Sequence, residues 1–172
     1  MKRNWRQDEV EEHWFLFEHE KKQINGRTNS TRLGFAVLLK FFQLEGRFPD
    51  TPQEVPLNAV HYIAHQTGIP ATAWGAYPWN KRIAAYHREA IRNMLGYRQH
   101  TAQDLSLLFN RLMDEVLDHE IRNDRLFSFA LQHYRDCSIE PPASEQLRRL
   151  IQSALAAHET RFCNSRSEER RV

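Results

Sequence analysis

Five cations crowd the stretch YPWNKRIAAYHREAIRNMLGYR: Lys81, Arg82, Arg88, Arg92 and Arg98, against the single anion Glu89. Groups of this kind at this density suit the neutralisation of a polyanion, and arginine adds bidentate recognition of phosphate or guanine. A second set lies in ASEQLRRLIQSALAAHE. There Arg148, Arg149 and Gln152 are of the types that read base edges, Ser153 can bond a phosphate, and the small Ala156 permits close approach. Each set also has a plain reading as the solvated face of an amphipathic helix. Residues 99–136 carry four cations (Arg111, Arg122, Arg125, Arg135) and seven anions (Asp104, Asp114, Glu115, Asp118, Glu120, Asp124, Asp136). The formal net charge of +2 therefore hides a basic block beside an acidic one.

Other chemistries find less support. His61 and His65 are spaced for one helix face, but no third ligand accompanies them and HExxH is absent, so no metal site is expected. Glu11, Glu12, Glu18 and Glu20 read as solvated helix faces. Cys137 and Cys163 are too far apart for a short metal motif and read as reduced thiols in a reducing cytosol. A glycine-rich phosphate loop and GxSxG are both missing. No catalytic residue and no cofactor is expected. No apolar run approaches the roughly 18 residues that span a bilayer, and the N-terminus turns acidic where a signal peptide turns apolar. A soluble, cytoplasmic protein is expected, nucleoid-associated when bound to DNA, with no membrane partner.

The elements that must position these residues read as eight helices and no strand. They cover about Gln7–Phe15, Glu18–Ile24, Thr31–Leu44, Leu57–Thr67, Trp79–Leu95, Thr101–His119, Asp124–Arg135 and Ser144–Thr160. Ser30 is the expected cap of the third helix, and Gly46, Gly68 and Gly96 are stops. Thr101 and Asp104 form a capping box, and Pro141 and Pro142 introduce the last helix. The third helix is apolar all round and must be buried on most sides. On the fifth, Trp79, Ile83, Tyr86, Ala90 and Met94 share one face, expected to meet the core. Lys81, Arg88 and Arg92 form a stripe expected to point outward, with Arg82 between. On the eighth, Leu147, Leu150, Ile151, Ala154 and His158 oppose Arg149, Gln152, Ser153, Ala156 and Thr160. Trp74, Tyr77 and Trp79 could stack on bases; for Trp79 a small aromatic core under the loop is the stronger reading.

A faint internal repeat is present. LNAVHYIAHQTGI parallels DRLFSFALQHYRDCSI, and the basic helix parallels ASEQLRRLIQSALAAHE. The domain reading is a first module over 1–99, a second over 100–162 and a polar, disordered tail over 163–172.

Four strings carry a resemblance: DEVEEHW, TRLGFAVLLKFFQLEGRFP, YPWNKRIAAYHREAIRNMLGYR and IEPPASEQLRRLIQSALAAHE. Together they resemble the N-terminal region of the Tn-three family of replicative transposases, from about Trp5 to Phe162. The resemblance implies an all-α fold of two successive helix-turn-helix-like modules similar to those of centromere-binding protein B. It implies binding to the double-stranded terminal inverted repeats of a transposon, with self-association in a transposition complex. The matching positions are Trp79, Arg82, His87, Arg88, Ile91 and Arg92 in the first module and Leu147, Arg148, Arg149, Leu150 and Ile151 in the second. In that family a carboxylate triad in a separate C-terminal domain holds the catalytic metals. This chain shows no such triad, so strand cutting and joining are not expected of it. A helical protein-interaction module without base recognition is the competing expectation.

Overall fold

A computed structural model describes residues 5–79 and 82–169. Among these residues the fold is all-helical apart from one minimal strand pair. The order is α1 (Gln7–His13), α2 (Glu18–Ile24), α3 (Asn29–Glu45), α4 (Leu57–Thr67), α5 (Arg82–Leu95), β1 (Arg98–Gln99), α6 (Ala102–Arg111), α7 (Asn123–Asp136), β2 (Ile139–Glu140) and α8 (Ser144–Glu169). The chain divides into two compact units between Gly96 and Tyr97.

In the first unit α3 is the spine. Every residue from Leu33 to Phe42 is buried, as its all-round apolarity requires. The helix begins at a Thr28 cap rather than at Ser30, and ends where Gly46 takes a left-handed φ of 69° and donates to the Phe42 carbonyl at 2.8 Å. One cation lies inside this core. Lys40 Nζ sits 3.3 Å from both Glu20 carboxylate oxygens, Gln43 Nε2 donates to Glu20 Oε1 at 2.7 Å, and the Phe17 ring lies under the ammonium. Burial pushes the Lys40 ammonium below its usual pKa, and the Glu20 carboxylate opposes that shift. The segment after α1 is tied down by Gln66 of α4, whose amide accepts from Leu16 N at 2.8 Å and donates to the Trp14 carbonyl at 3.1 Å.

Gly34 sets the approach of the loop before α5. A Cβ at this position would lie 2.0 Å from Tyr77 Cδ2, so the tyrosine ring rests directly on the α3 backbone. The Tyr77 hydroxyl then reaches His87 Nδ1 at 2.9 Å. Burial raises the Tyr77 pKa to about 12 and lowers that of His87 to about 4. The neutral phenol is therefore the donor and the neutral imidazole nitrogen the acceptor.

This bond decides how α5 is rolled. Ala84, His87 and Ile91 face the core, while Ile83 is 42% and Tyr86 61% exposed. The face expected inward is thus corrected. An apolar count placed Ile83 and Tyr86 inside, whereas the buried seam is built on a histidine satisfied by Tyr77 and packed edge-on against Phe35 at 5.2 Å.

In the second unit α6, α7 and α8 surround Leu108, Leu126, Ala130, Tyr134, Leu147 and Ile151. The expected capping box at Thr101 is present: Asp104 accepts from Thr101 N at 2.8 Å and Thr101 Oγ1 accepts from Asp104 N at 3.4 Å. A π-type turn, Leu112–Val116, continues α6 and brings Leu117 into the core. Where no strand was expected, β1 and β2 pair in parallel, Arg98 opposite Ile139. The pairing follows from Ser138, whose φ of 54° turns the chain out of α7 and whose carbonyl accepts from Arg98 N at 3.1 Å. Here α8 keeps the expected roll, with Leu147, Ile151 and Ala154 buried and Arg149, Gln152 and Ser153 exposed. It runs on to Glu169 instead of stopping near Thr160. No glycine or proline follows Pro142, so nothing in the sequence halts it. Residues 163–169 of the expected tail belong to this helix.

Candidate nucleic-acid interface

The first unit builds its candidate face from an aromatic base upward. Trp74 stacks on Tyr77 at 6.0 Å, and Trp79 meets both edge-on at 5.0 and 5.4 Å. Trp74 is buried and Trp79 half-buried, so these rings brace the entry to α5. Lys81, one of the expected contacts, lies outside the described residues. Arg82 is exposed on the outer face beside Tyr86.

Arg88 is half-buried at the margin of the buried seam, not on the outermost stripe. Its guanidinium lies 5.5 Å from the centroid of the Phe48 ring, and its Nε is desolvated without a partner. Among the described residues no carboxylate pairs with it. A guanidinium held on a ring, partly stripped of water and lacking a counter-charge is preorganised for an external anion. Arg92, one turn on, is half-buried and already engaged.

Arg27 joins these cations from the turn between α2 and α3. It lies 3.8 Å from the centroid of the Phe35 ring and donates to the Gln23 carbonyl. Burial lowers its pKa, and its charge acts on Tyr86, Tyr77 and His87. Only the tertiary fold brings it there.

The second unit repeats the device with different parts. Arg148 lies 4.5 Å from the centroid of the Phe127 ring and has no carboxylate partner among the described residues. Beside it, Gln152 Nε2 donates to Asn123 Oδ1 at 2.6 Å. Asn123, Phe127, Arg148, Ile151 and Gln152 line a pocket of about 220 Å³.

A family model described as a domain of unknown function (DUF4158) matches residues 1–154. The chain belongs to the DUF4158 family. No curated protein matches it.

The remaining expected contacts of this DUF4158 chain are more committed. Arg98, counted with the first module, belongs to the second unit and is held by Asp104 through two bonds of 2.7 Å. That bidentate pair, with help from Thr101, holds the Asp104 carboxyl well below the usual carboxylate range. Arg149 is ion-paired with Glu145 one turn earlier, and Ser153 Oγ donates to the Arg149 carbonyl at 3.0 Å. Part of the acidic stretch is engaged from within this unit: Glu115 pairs with Arg111 at 3.0 Å, and Asp118 accepts a hydrogen bond from His158 Nε2 at 2.9 Å.

His61 and His65 sit in a larger open pocket of about 640 Å³ with Gln7, Glu11, Asn58 and Tyr62. Among the described residues no three His, Cys, Asp or Glu side chains converge as a metal site would require, and no helix is long and apolar enough to cross a membrane. Four contributors escape a reading by sequence: Arg27, Phe48, Phe127 and Asn123.

Proposed function

We propose that this chain is a sequence-specific DNA-binding region, the non-catalytic N-terminal part of a replicative transposase similar to the Tn-three family, and that it recognises transposon terminal inverted repeats. The observation that carries the reading is a pair of guanidinium groups, one per unit. Arg88 on Phe48 and Arg148 on Phe127 are each held on an aromatic face without a carboxylate. Unneutralised arginines immobilised on the final long helix of each unit suit a phosphate backbone and the guanine edges beside it. In this reading each unit acts as a helix-turn-helix-like module. Once the first is seated the second binds as an intramolecular event, and the gain comes through effective concentration.

Arg82 and Arg27 add phosphate contacts in the first unit, and Gln152 with Arg149 contacts in the second. Arg98 is then a structural clamp for the start of α6. The test is selection of a preferred duplex from a random pool, followed by affinity for the selected and a scrambled duplex at two salt concentrations. A preference that survives raised salt supports the reading; equal affinity for both duplexes, or none, ends it.

The exposed Tyr86 and Ile83 on α5 favour a second reading, a docking surface for another chain in a transposition assembly. Self-association abolished by Tyr86→Ala, with no discrimination between duplexes, decides for it.

A further inference from the structure

We infer that Asn123 and Gln152 form a single preassembled reader of one A·T base pair, with the thymine methyl group seated on Phe127 and Ile151. This rests on the DNA reading of the second unit and adds to it a base identity and a residue, Asn123, that stands outside the helix carrying the other contacts.

The 2.6 Å bond between the two amides consumes one Gln152 hydrogen and one lone pair of Asn123 Oδ1. Gln152 Oε1 keeps its acceptor capacity, and both Asn123 Nδ2 hydrogens remain. In the major groove adenine offers a donor at N6 beside an acceptor at N7, the complement of that remainder. Guanine places an acceptor where adenine has its N6 donor and so sets oxygen against Gln152 Oε1.

Because each side chain restrains the other, part of the rotamer entropy that contact would remove is already gone in the free protein. Both residues are exposed, so a base edge can reach them. The pocket floor is apolar: Ile151 is 2% exposed and Phe127 half-buried. The C5 methyl of thymine is the apolar group that the major-groove edge of an A·T pair presents. Arg148, 4.5 Å from the centroid of the Phe127 ring, adds to the pocket lining a positive charge suited to the flanking phosphate.

The experiment uses the full chain and the duplex selected as above. Affinities are measured for every single-base-pair replacement and for thymine replaced by deoxyuridine one position at a time, with wild type, Asn123→Ala, Gln152→Ala and the double variant. The expected result is one A·T pair at which both single variants lose about tenfold discrimination. The double variant is no worse than either, as linked groups require. Deoxyuridine at that pair weakens wild-type binding about three- to fourfold, the value of one buried methyl, while salt dependence stays as in wild type. Full discrimination retained by Asn123→Ala overturns the inference. So do losses at two different base pairs, or deoxyuridine bound as tightly as thymine. These results leave the DNA reading standing, because wild type still prefers its selected duplex; a wild type without any preference removes both.

Discussion

The two units reach the same arrangement, an arginine over a phenylalanine ring, by opposite routes. In the first, polar groups are taken into the interior: Glu20, Lys40 and His87 are all buried, and the roll of α5 follows from one of them. In the second, one carboxylate, Asp104, is buried beneath the exposed Arg98, and the other clamps, Arg149–Glu145 and Gln152–Asn123, lie at the surface over an apolar cluster. The pose of Arg88 is therefore coupled to folding stability and to pH. The pose of Arg148 rests on short local clamps that can be removed one at a time. Two faces of like chemistry should respond differently to the same perturbation.

The largest expected effect is in the first unit. Lys40→Ala leaves Glu20 as a buried carboxylate without its counter-charge, and unfolding should become easier by about 3–5 kcal/mol. Urea titration of the full chain reads this, while Lys40→Met paired with Glu20→Leu should recover most of it. A loss below about 1 kcal/mol in the single variant would show that the pair does not control this unit.

Next comes pH. His87 is neutral when folded and has a pKa near 4, against an ordinary value of 6.5. Between those values the unfolded chain binds the extra proton, so stability falls as pH drops through this window. The contribution is about 3 kcal/mol. Urea midpoints from pH 7 to 4 should show the decline in wild type and a shallower one in His87→Phe. Identical profiles would break the link between α5 and acidity.

Asp104→Ala removes the carboxylate half of the capping box and both bonds to Arg98 and should cost about 2 kcal/mol. Thermal or urea unfolding measures this, and DNA selected by the wild type should still bind. Lost binding with intact folding would return Arg98 to the interface.

Smaller again is the electrostatic test. Arg88→Gln and Arg148→Gln should each flatten the slope of log affinity against log salt by about 1. An unchanged slope in one variant would assign polyanion contact to the other unit alone. Last, Phe48→Leu and Phe127→Leu keep the charge and remove the ring, and each should weaken binding only about two- to fivefold. The more exposed Arg148 should lose the more, because it has less else to hold it.

Much of this fold was legible in the chain. The stops at Gly46, Gly68 and Gly96 and the box at Thr101 mark helix ends by local chemistry, and α2 and α4 begin and end where expected. The roll of α8 was legible too, because its buried residues are ordinary aliphatics. The roll of α5 was not. A hydrophobic count gives His87 no weight, and the Tyr77 hydroxyl that makes the histidine an interior residue belongs to a loop ten positions earlier. The same limit applies to Arg98. A capping box predicts one oxygen of Asp104 in use at Thr101, and says nothing about a guanidinium on both. Phe48, Phe127 and Asn123 meet Arg88, Arg148 and Gln152 through packing between segments 20 to 40 residues apart, so composition and spacing pass over them.

Position 34 bears a hydrogen where nearly every other residue type has a carbon, and the Tyr77 ring occupies the room so released. That hydrogen works as a feeler gauge between two pieces of main chain. One methyl at this position would lever the ring aside, free the imidazole beyond it and re-aim the following helix without altering a single charge. The aim of the outer face of the first unit is thus set from its interior.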